Sequence, residues 1–129
     1  MKNKIRSISP VLSVNNIKES ISWYKEQLDF KEIYINKEEN DSTGESWNYA
    51  LLECNGVEIH LALRSNSDKT LSSPTNIYMF INEISNLHKK LKANNCNISN
   101  LENMPWGNLE CSLTDINENK IVLSQPPSA

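Results

Sequence analysis

The sequence predicts an α+β domain built from two modules, each with the element order βαβββ. Three observations support this class: strand and helix patterns follow the same order in both halves, a short motif recurs between the halves, and 129 residues fit one domain. Within the single domain 1–129, the predicted ranges are 7–64 for the first module, 65–75 for a linker and 76–126 for the second module.

The first module opens with a strand and a helix. An apolar strand is predicted over 8–14, where Pro10 indicates a position near a sheet edge. Asn16 can cap the following helix, with Glu19 as the reciprocal partner three residues later. Apolar residues then recur at helical spacing on one face: Ile17, Ile21, Tyr24 and Leu28.

Three strands complete the first module. We predict a strand over 30–35, a polar loop over 36–45, and strands over 47–54 and 57–63. Asn55-Gly56 joins the last two strands and supplies the positive φ angles of a type I′ turn. The Ser-, Asn- and Asp-rich stretch that ends at Thr75 predicts the linker.

The pattern then repeats. A strand is predicted over 76–81, a helix over 83–93, a short strand over 97–101, and a hairpin of 106–114 with 120–125. Val14-Asn15-x-Ile17 recurs as Ile81-Asn82-x-Ile84 at an offset of 67, while the closing hairpins align at an offset nearer 62. A repeat of this kind indicates duplicated units that must pack to bury their apolar faces.

Composition excludes several classes of function. A formal charge of −3 argues against nucleic-acid binding, and the dense basic cluster Lys89, Lys90 and Lys92 fits a solvated helix face. No apolar stretch is long enough to cross a membrane, and no apolar signal region follows the basic start, so we expect a cytoplasmic protein. The three cysteines form no Cys-x-x-Cys pair, which predicts reduced thiols.

Four stretches, in this order, carry a family resemblance: Pro10–Asn16 with Ser22-Trp23-Tyr24, Leu28-Asp29-Phe30, Pro105-Trp106-Gly107, and Asp115–Asn119. With them the chain resembles the vicinal oxygen chelate superfamily of glyoxalase I, extradiol dioxygenases, fosfomycin-resistance enzymes and bleomycin-resistance proteins. The resemblance implies that each module curls its four strands into a mixed-sheet cup, and that two cups form one pocket. Pairing of modules within one chain and exchange between two chains are both compatible with the sequence.

The resemblance also implies where a metal would bind. Its four ligand positions transfer to Ser9, His60, Asn76 and Val122, of which only His60 is a good ligand. Shifting the alignment by one residue would move the replacements to the opposite strand face. We therefore predict no metal and no cofactor.

The metal-free bleomycin-resistance branch of the superfamily resembles the chain best around the Trp-Gly motif. That resemblance implies a homodimer that binds a small organic ligand, by sequestering or sensing it. The alternative is an enzyme of lyase, thiol transferase or dioxygenase type that uses His60 with atypical donors such as Glu58 or Glu110. A third possibility is a pocket that serves dimerisation alone. The unsuitable metal positions favour binding over catalysis.

Strand alternation nominates the ligand-binding residues. His60 could contact a ligand or act as an acid or base; equally, it could be a remnant satisfied by a neighbour such as Asn76. Aromatic residues could form pocket walls or fill the core. Glu110 would attract a cation if it faced the pocket, and would otherwise be a solvated strand residue. The predicted ligand-binding set is Ser9, Trp47, Tyr49, His60, Asn76, Tyr78, Phe80, Trp106, Glu110 and Val122.

Overall fold

Two mixed β-sheets, each carrying one helix, form the protein. The computed structural model describes residues 4–40, 44–64 and 74–128. Most of the predicted linker over 65–75 lies outside the described residues. The chain divides into two compact units, Met1–Ser73 and Pro74–Ala129. The α+β class is confirmed. Neither helix has the length and apolar character needed to cross a membrane in the part of the chain that is described.

The first unit has the predicted element order. Its sheet has the strand order β1-β4-β3-β2, in which β1 runs parallel to β4 and the other pairs are antiparallel. As predicted from Pro10, the first strand lies at the sheet edge. The elements are β1 (Val11–Val14), α1 (Ile17–Leu28), β2 (Lys31–Asn40), β3 (Gly44–Cys54) and β4 (Val57–Leu63).

Local chemistry explains the ends of α1. The side chain of Asn16 accepts a hydrogen bond from the Glu19 N–H at 2.9 Å, as the cap motif predicts. The helix ends at Asp29, whose backbone is left-handed (φ 59°) and whose N–H is donated to the Tyr24 carbonyl. The four predicted core residues are all buried: Ile17, Ile21, Tyr24 and Leu28.

The predicted loop over 36–45 is wrong. β2 continues to Asn40 and β3 begins at Gly44, so the two strands extend as a solvent-exposed ladder in which Glu38 faces Ser46. The polar sequence did not indicate this extension, because a strand that is solvent-exposed on both faces shows no alternation of apolar and polar residues. The Asn55-Gly56 hairpin is confirmed by positive φ angles of 51° and 82°.

The second unit has a sheet in the order β5-β9-β8-β6, with β7 also paired to β8. β8 begins three residues later than predicted, because Met104–Gly107 form a turn closed by a hydrogen bond from Gly107 N–H to the Met104 carbonyl at 2.9 Å. The elements are β5 (Asn76–Phe80), α2 (Ile84–Ala93), β6 (Asn97–Ile98), β7 (Glu102–Asn103), β8 (Leu109–Thr114) and β9 (Lys120–Gln125).

The strand predicted over 97–101 stops at Ile98. At the next residue, the Ser99 hydroxyl accepts the N–H of Ser112 at 2.8 Å, and the Ser99 carbonyl accepts a hydrogen bond from His88 at 2.9 Å. Because side chains have taken over these backbone partners, the regular ladder ends there.

A buried turn joins β8 to β9. Asp115 accepts hydrogen bonds from the N–H groups of Asn117 (2.7 Å) and Asn119 (2.9 Å). The Asn119 side chain then accepts the N–H of Thr75 at 2.8 Å, which ties this turn to the start of β5. All three turn side chains are nearly inaccessible, so the turn is a structural element of the second unit.

The strand register reproduces both repeat offsets. In the parallel pair β1–β4, Val11 lies opposite His60, and in the pair β5–β9, Tyr78 lies opposite Val122. First strands are thus related by 67 residues and last strands by 62, as the sequence predicts. In each unit one sheet face packs on the helix and holds the buried apolar residues, which include Leu12, Leu52, Ile59, Leu61, Leu113, Ile121 and Leu123.

Candidate functional site

His60 stands on the helix-free face of the first sheet, between two hydrogen-bonding neighbours. Its Nδ1 lies 2.7 Å from the Tyr49 hydroxyl, and its Nε2 lies 2.8 Å from Oε1 of Glu58. Strand register places the three side chains together, because Tyr49 lies on β3 and the other two alternate along β4. The partners of His60 are therefore Tyr49 and Glu58, and Asn76 belongs to the other unit.

A depression of about 600 Å³ lies beside this group. Alternation along β2 puts Tyr34 and Asn36 in its wall, and the predicted set omits both. Asn36 lies beyond Ile35, where the second strand was predicted to end, whereas Tyr34 lies within that predicted strand. The Asn36 amide donates to Asn48 at 2.7 Å, which fixes that edge of the depression. Its lining includes Tyr34, Asn36, Asn48, Tyr49, Leu51 and Ala62.

Trp47 lies apart from the Tyr49–His60 pair. The β2–β3 register shifts between Asn36 and Lys37, and a shift of this kind reverses which side chains share a face. The Trp47 ring is 4.7 Å from Nζ of Lys18 on α1, and its indole N–H is donated to Glu45 at 2.7 Å. The structure therefore places Trp47 beside the helix of the first unit.

In the second unit, the helix-free face carries five of the predicted strand residues, which are Asn76, Tyr78, Phe80, Glu110 and Val122. Register pairs Tyr78 with Val122 and Phe80 with Ser124, and Glu110 also lies opposite Ser124. The rings of Tyr78 and Phe80 lie 6.4 Å apart. Their exposed fractions are 56% and 67%, so neither ring fills the core.

Glu110 is buried on this face, with 3% exposure, and is therefore not a solvated strand residue. It accepts hydrogen bonds from the Ser124 hydroxyl at 2.8 Å, the Tyr78 hydroxyl at 3.3 Å and the Trp106 indole N–H at 3.4 Å. The Asn108 amide donates to the Ser124 hydroxyl at 2.9 Å. The predicted set lacks Ser124, which only the β8–β9 register brings to Glu110.

Both tyrosines in these groups hold their protons more tightly than a free tyrosine. Desolvation by burial, followed by the charge of Glu58, raises the pKa of Tyr49. Desolvation, followed by the charge of Glu110 and its hydrogen bond, raises the pKa of Tyr78. Each tyrosine is thus a hydrogen-bond donor at neutral pH.

The four positions implied for a metal do not fit one. Ser9 is half-buried before β1, Asn76 is exposed opposite Lys120, and Val122 offers no donor atom. Both ring nitrogens of His60 are already hydrogen bonded. Among the described residues, no group of three His, Cys, Asp or Glu side chains is placed to hold a metal ion. Nickel, zinc or iron needs several imidazole and carboxylate donors, and this set has one imidazole and no carboxylate.

The family assignment follows from a sequence-family match. The model of the Glyoxalase/Bleomycin resistance protein/Dioxygenase superfamily matches residues 6–123. The chain belongs to this superfamily. No curated protein matches it in sequence. The match agrees with the resemblance to the vicinal oxygen chelate superfamily that the four sequence motifs carry.

Several solved structures share the fold of this chain. A glyoxalase-related enzyme from Clostridium phytofermentans is 20% identical with a TM-score of 0.76, over 97% of this chain and 98% of that one. A bleomycin resistance determinant encoded on transposon Tn5 is 14% identical with a TM-score of 0.74, over 96% and 100%. A bleomycin-binding protein complexed with bleomycin is 14% identical with a TM-score of 0.71, over 95% and 100%. At these identities the likeness establishes the fold alone.

Proposed function

We propose that the protein binds a small organic molecule, without a metal, on the helix-free faces of its sheets. The single observation that carries this proposal is the exposure of aromatic rings there: Tyr78, Phe80 and Trp106 are 56%, 67% and 62% exposed. Exposed rings next to a few fixed polar groups are typical of small-molecule sites. The bleomycin complex of a similar fold supports the same class of function.

Each unit has its own set of proposed ligand contacts. In the first unit they are His60, Tyr49 and the depression beside them, with Ser9 just before β1. In the second unit they are Tyr78, Phe80, Trp106, Glu110 and Val122, with Asn76 at the strand start. We leave Trp47 outside the site because it packs beside Lys18.

The test is a fluorescence screen of small organic molecules, repeated with variants. A ligand bound on these faces should lose about 1 kcal/mol or more of binding free energy in Phe80→Ala or Tyr78→Ala. Trp106→Phe should remove most of the fluorescence change, whereas Trp47→Phe is the matched control and should leave affinity unaltered. A tight ligand whose affinity survives Phe80→Ala, Tyr78→Ala and His60→Ala would refute the proposal.

The metal-free state has its own test. Elemental analysis of protein purified without chelator should find far less than one nickel, zinc, iron or manganese ion per chain. The physical reason is the donor set: one histidine with both nitrogens engaged cannot offset the loss of metal hydration. About one ion per chain that is lost in His60→Ala would overturn this part.

The proposal also includes a homodimer located in the cytoplasm. Apolar residues such as Val11 and Tyr34 are 41% and 54% exposed on the first sheet, and a second copy could cover such surface. Light scattering at tens of micromolar should give twice the chain mass of 14.7 kDa, and a monomer would count against it. The three free thiols support a reducing compartment.

A second candidate function is metal-independent acid-base catalysis. The observation that favours it is the hydrogen-bonded series Tyr49–His60–Glu58, in which a carboxylate orients an imidazole. If a screened ligand is converted to product, His60→Asn should abolish turnover while Phe80→Ala chiefly weakens binding. Unchanged recovery of every bound ligand would favour binding alone.

A further inference from the structure

Glu110 is a buried carboxyl group, and no cationic side chain in the described part of the chain is paired with it. It is 3% exposed, and no Lys, Arg or His among the described residues forms a salt bridge with it. Buried carboxylates are normally paired with a cation or fully hydrogen bonded, because removing the charge from water is costly. Its partners are instead the neutral donors Ser124, Tyr78 and Trp106.

The direction of these hydrogen bonds favours a charged carboxylate. An indole N–H can only donate, so Trp106 gives its proton to Glu110. The Asn108 amide donates to the Ser124 oxygen, which leaves the Ser124 hydroxyl proton for Glu110. The carboxyl group thus receives three hydrogen bonds, an arrangement that satisfies an acceptor carrying a negative charge.

Aromatic rings lie between this charge and solvent. The Tyr78 and Trp106 rings reach Glu110 through their polar atoms, while more than half of each side chain surface is exposed. Phe80 lies beside Tyr78 at 6.4 Å between ring centres. Negative ring faces backed by a buried negative charge attract cations by two additive electrostatic effects.

We propose that Tyr78, Phe80, Trp106 and Glu110 form a site for a bulky, weakly hydrated organic cation such as a quaternary ammonium group. This proposal rests on the proposed small-molecule binding function and names its ligand class. The cation would lie against the rings, and the carboxylate would act through them without direct contact. A compact metal ion does not fit, because a single buried carboxylate already holding three donors cannot replace its hydration shell.

The test compares choline with 3,3-dimethylbutan-1-ol, which has the same shape and no charge. Titrations followed through the Trp106 indole N–H resonance should show saturable binding of choline and at least about tenfold weaker binding of the alcohol. Glu110→Gln should weaken choline binding about tenfold and leave the alcohol unchanged. Glu102→Gln is the matched control, since it removes the same charge from an exposed residue. Glu102 lies opposite Glu110 in the register of β7 and β8.

Because Glu110→Gln alters a buried network, Phe80→Leu provides a second variant at an exposed position. It should lower choline affinity by about two- to fivefold with an unaltered melting temperature. Equal binding of choline and the alcohol would overturn the cation site while leaving small-molecule binding intact. Equal losses in Glu102→Gln and Glu110→Gln would also overturn it, because the effect would then be one of net charge. Absence of choline binding would overturn the cation site alone, since the wider ligand screen tests the function separately.

Discussion

The Tyr49 hydroxyl lies 2.7 Å from Nδ1 of His60, so both ring nitrogens of this histidine have partners once Glu58 is counted. A tyrosine hydroxyl that donates to Nδ1 requires the ring proton on Nε2, where Glu58 can accept it. This relationship links two strands, β3 and β4, and it places a hydrogen-bond partner at each ring nitrogen of His60.

The neutral His60 ring is expected to carry its proton on Nε2. Long-range ¹H–¹⁵N spectra of the neutral ring should show that tautomer, because Glu58 accepts from Nε2 and Tyr49 donates to Nδ1. Tyr49→Phe should retain the tautomer and cost about 1 kcal/mol in the free energy of unfolding. A ring protonated on Nδ1 would contradict this hydrogen-bond direction.

The Glu110 side chain is expected to influence the pKa of Tyr78. The charge and hydrogen bond of Glu110 contribute to the raised pKa of Tyr78, after desolvation. Glu110→Gln should therefore lower the Tyr78 pKa, leaving it above the ordinary value because desolvation remains. The ¹³Cζ shift of Tyr78 during alkaline titration measures this. Glu102→Gln is the control, and an unchanged Tyr78 pKa in Glu110→Gln would contradict the contact.

Glu118 is expected to strain the turn between β8 and β9. Its φ angle is 69°, a left-handed conformation that glycine adopts without a steric penalty. Glu118→Gly should raise the free energy of unfolding by about 0.5–1 kcal/mol. Glu118→Ala removes the same side chain but keeps Cβ, so it should give no such gain. Equal effects of the two substitutions in urea denaturation would show that backbone strain is not the cause.

Cys111 is expected to resist thiol reagents in the folded protein. Burial raises the pKa of its thiol to about 11, so the reactive thiolate is scarce at pH 8 and becomes common only well above the ordinary thiol pKa. Ellman's reagent should modify Cys111 only after unfolding in guanidinium chloride. Cys111→Ser provides the control, because it should remove the modification of this thiol that appears after unfolding. Rapid modification of Cys111 at pH 8 in the native protein would refute its burial.

Several elements could be predicted from the sequence because their causes are local. The Asn16 cap, the 3- and 4-residue spacing of apolar side chains in α1, and the Asn55-Gly56 turn each act within a few residues. The two repeat offsets found in the sequence agree with the registers of the parallel strand pairs, because equivalent positions in duplicated units take equivalent registers. These features indicated the fold class and the alternation of side chains along the strands without a register shift.

Tertiary structure determined side-chain positions that the periodicity of apolar residues in the sequence does not indicate. The register shift near Asn36 turned Trp47 toward Lys18, and no residue in the sequence marks such a shift. Likewise Gln125 caps α2 by accepting the Ile84 N–H at 2.7 Å, across 41 positions of the chain.

The sequence by itself determined the superfamily, the element order of the first unit and the poor metal-ligand set, because each depends on residue identity at known spacing. Only the folded chain determined that Tyr49 and Glu58 occupy both nitrogens of His60 and that Ser124, Tyr78 and Trp106 converge on Glu110. The physical reason is that hydrogen-bond partners on different strands are set by register, and register is settled by packing of the whole sheet.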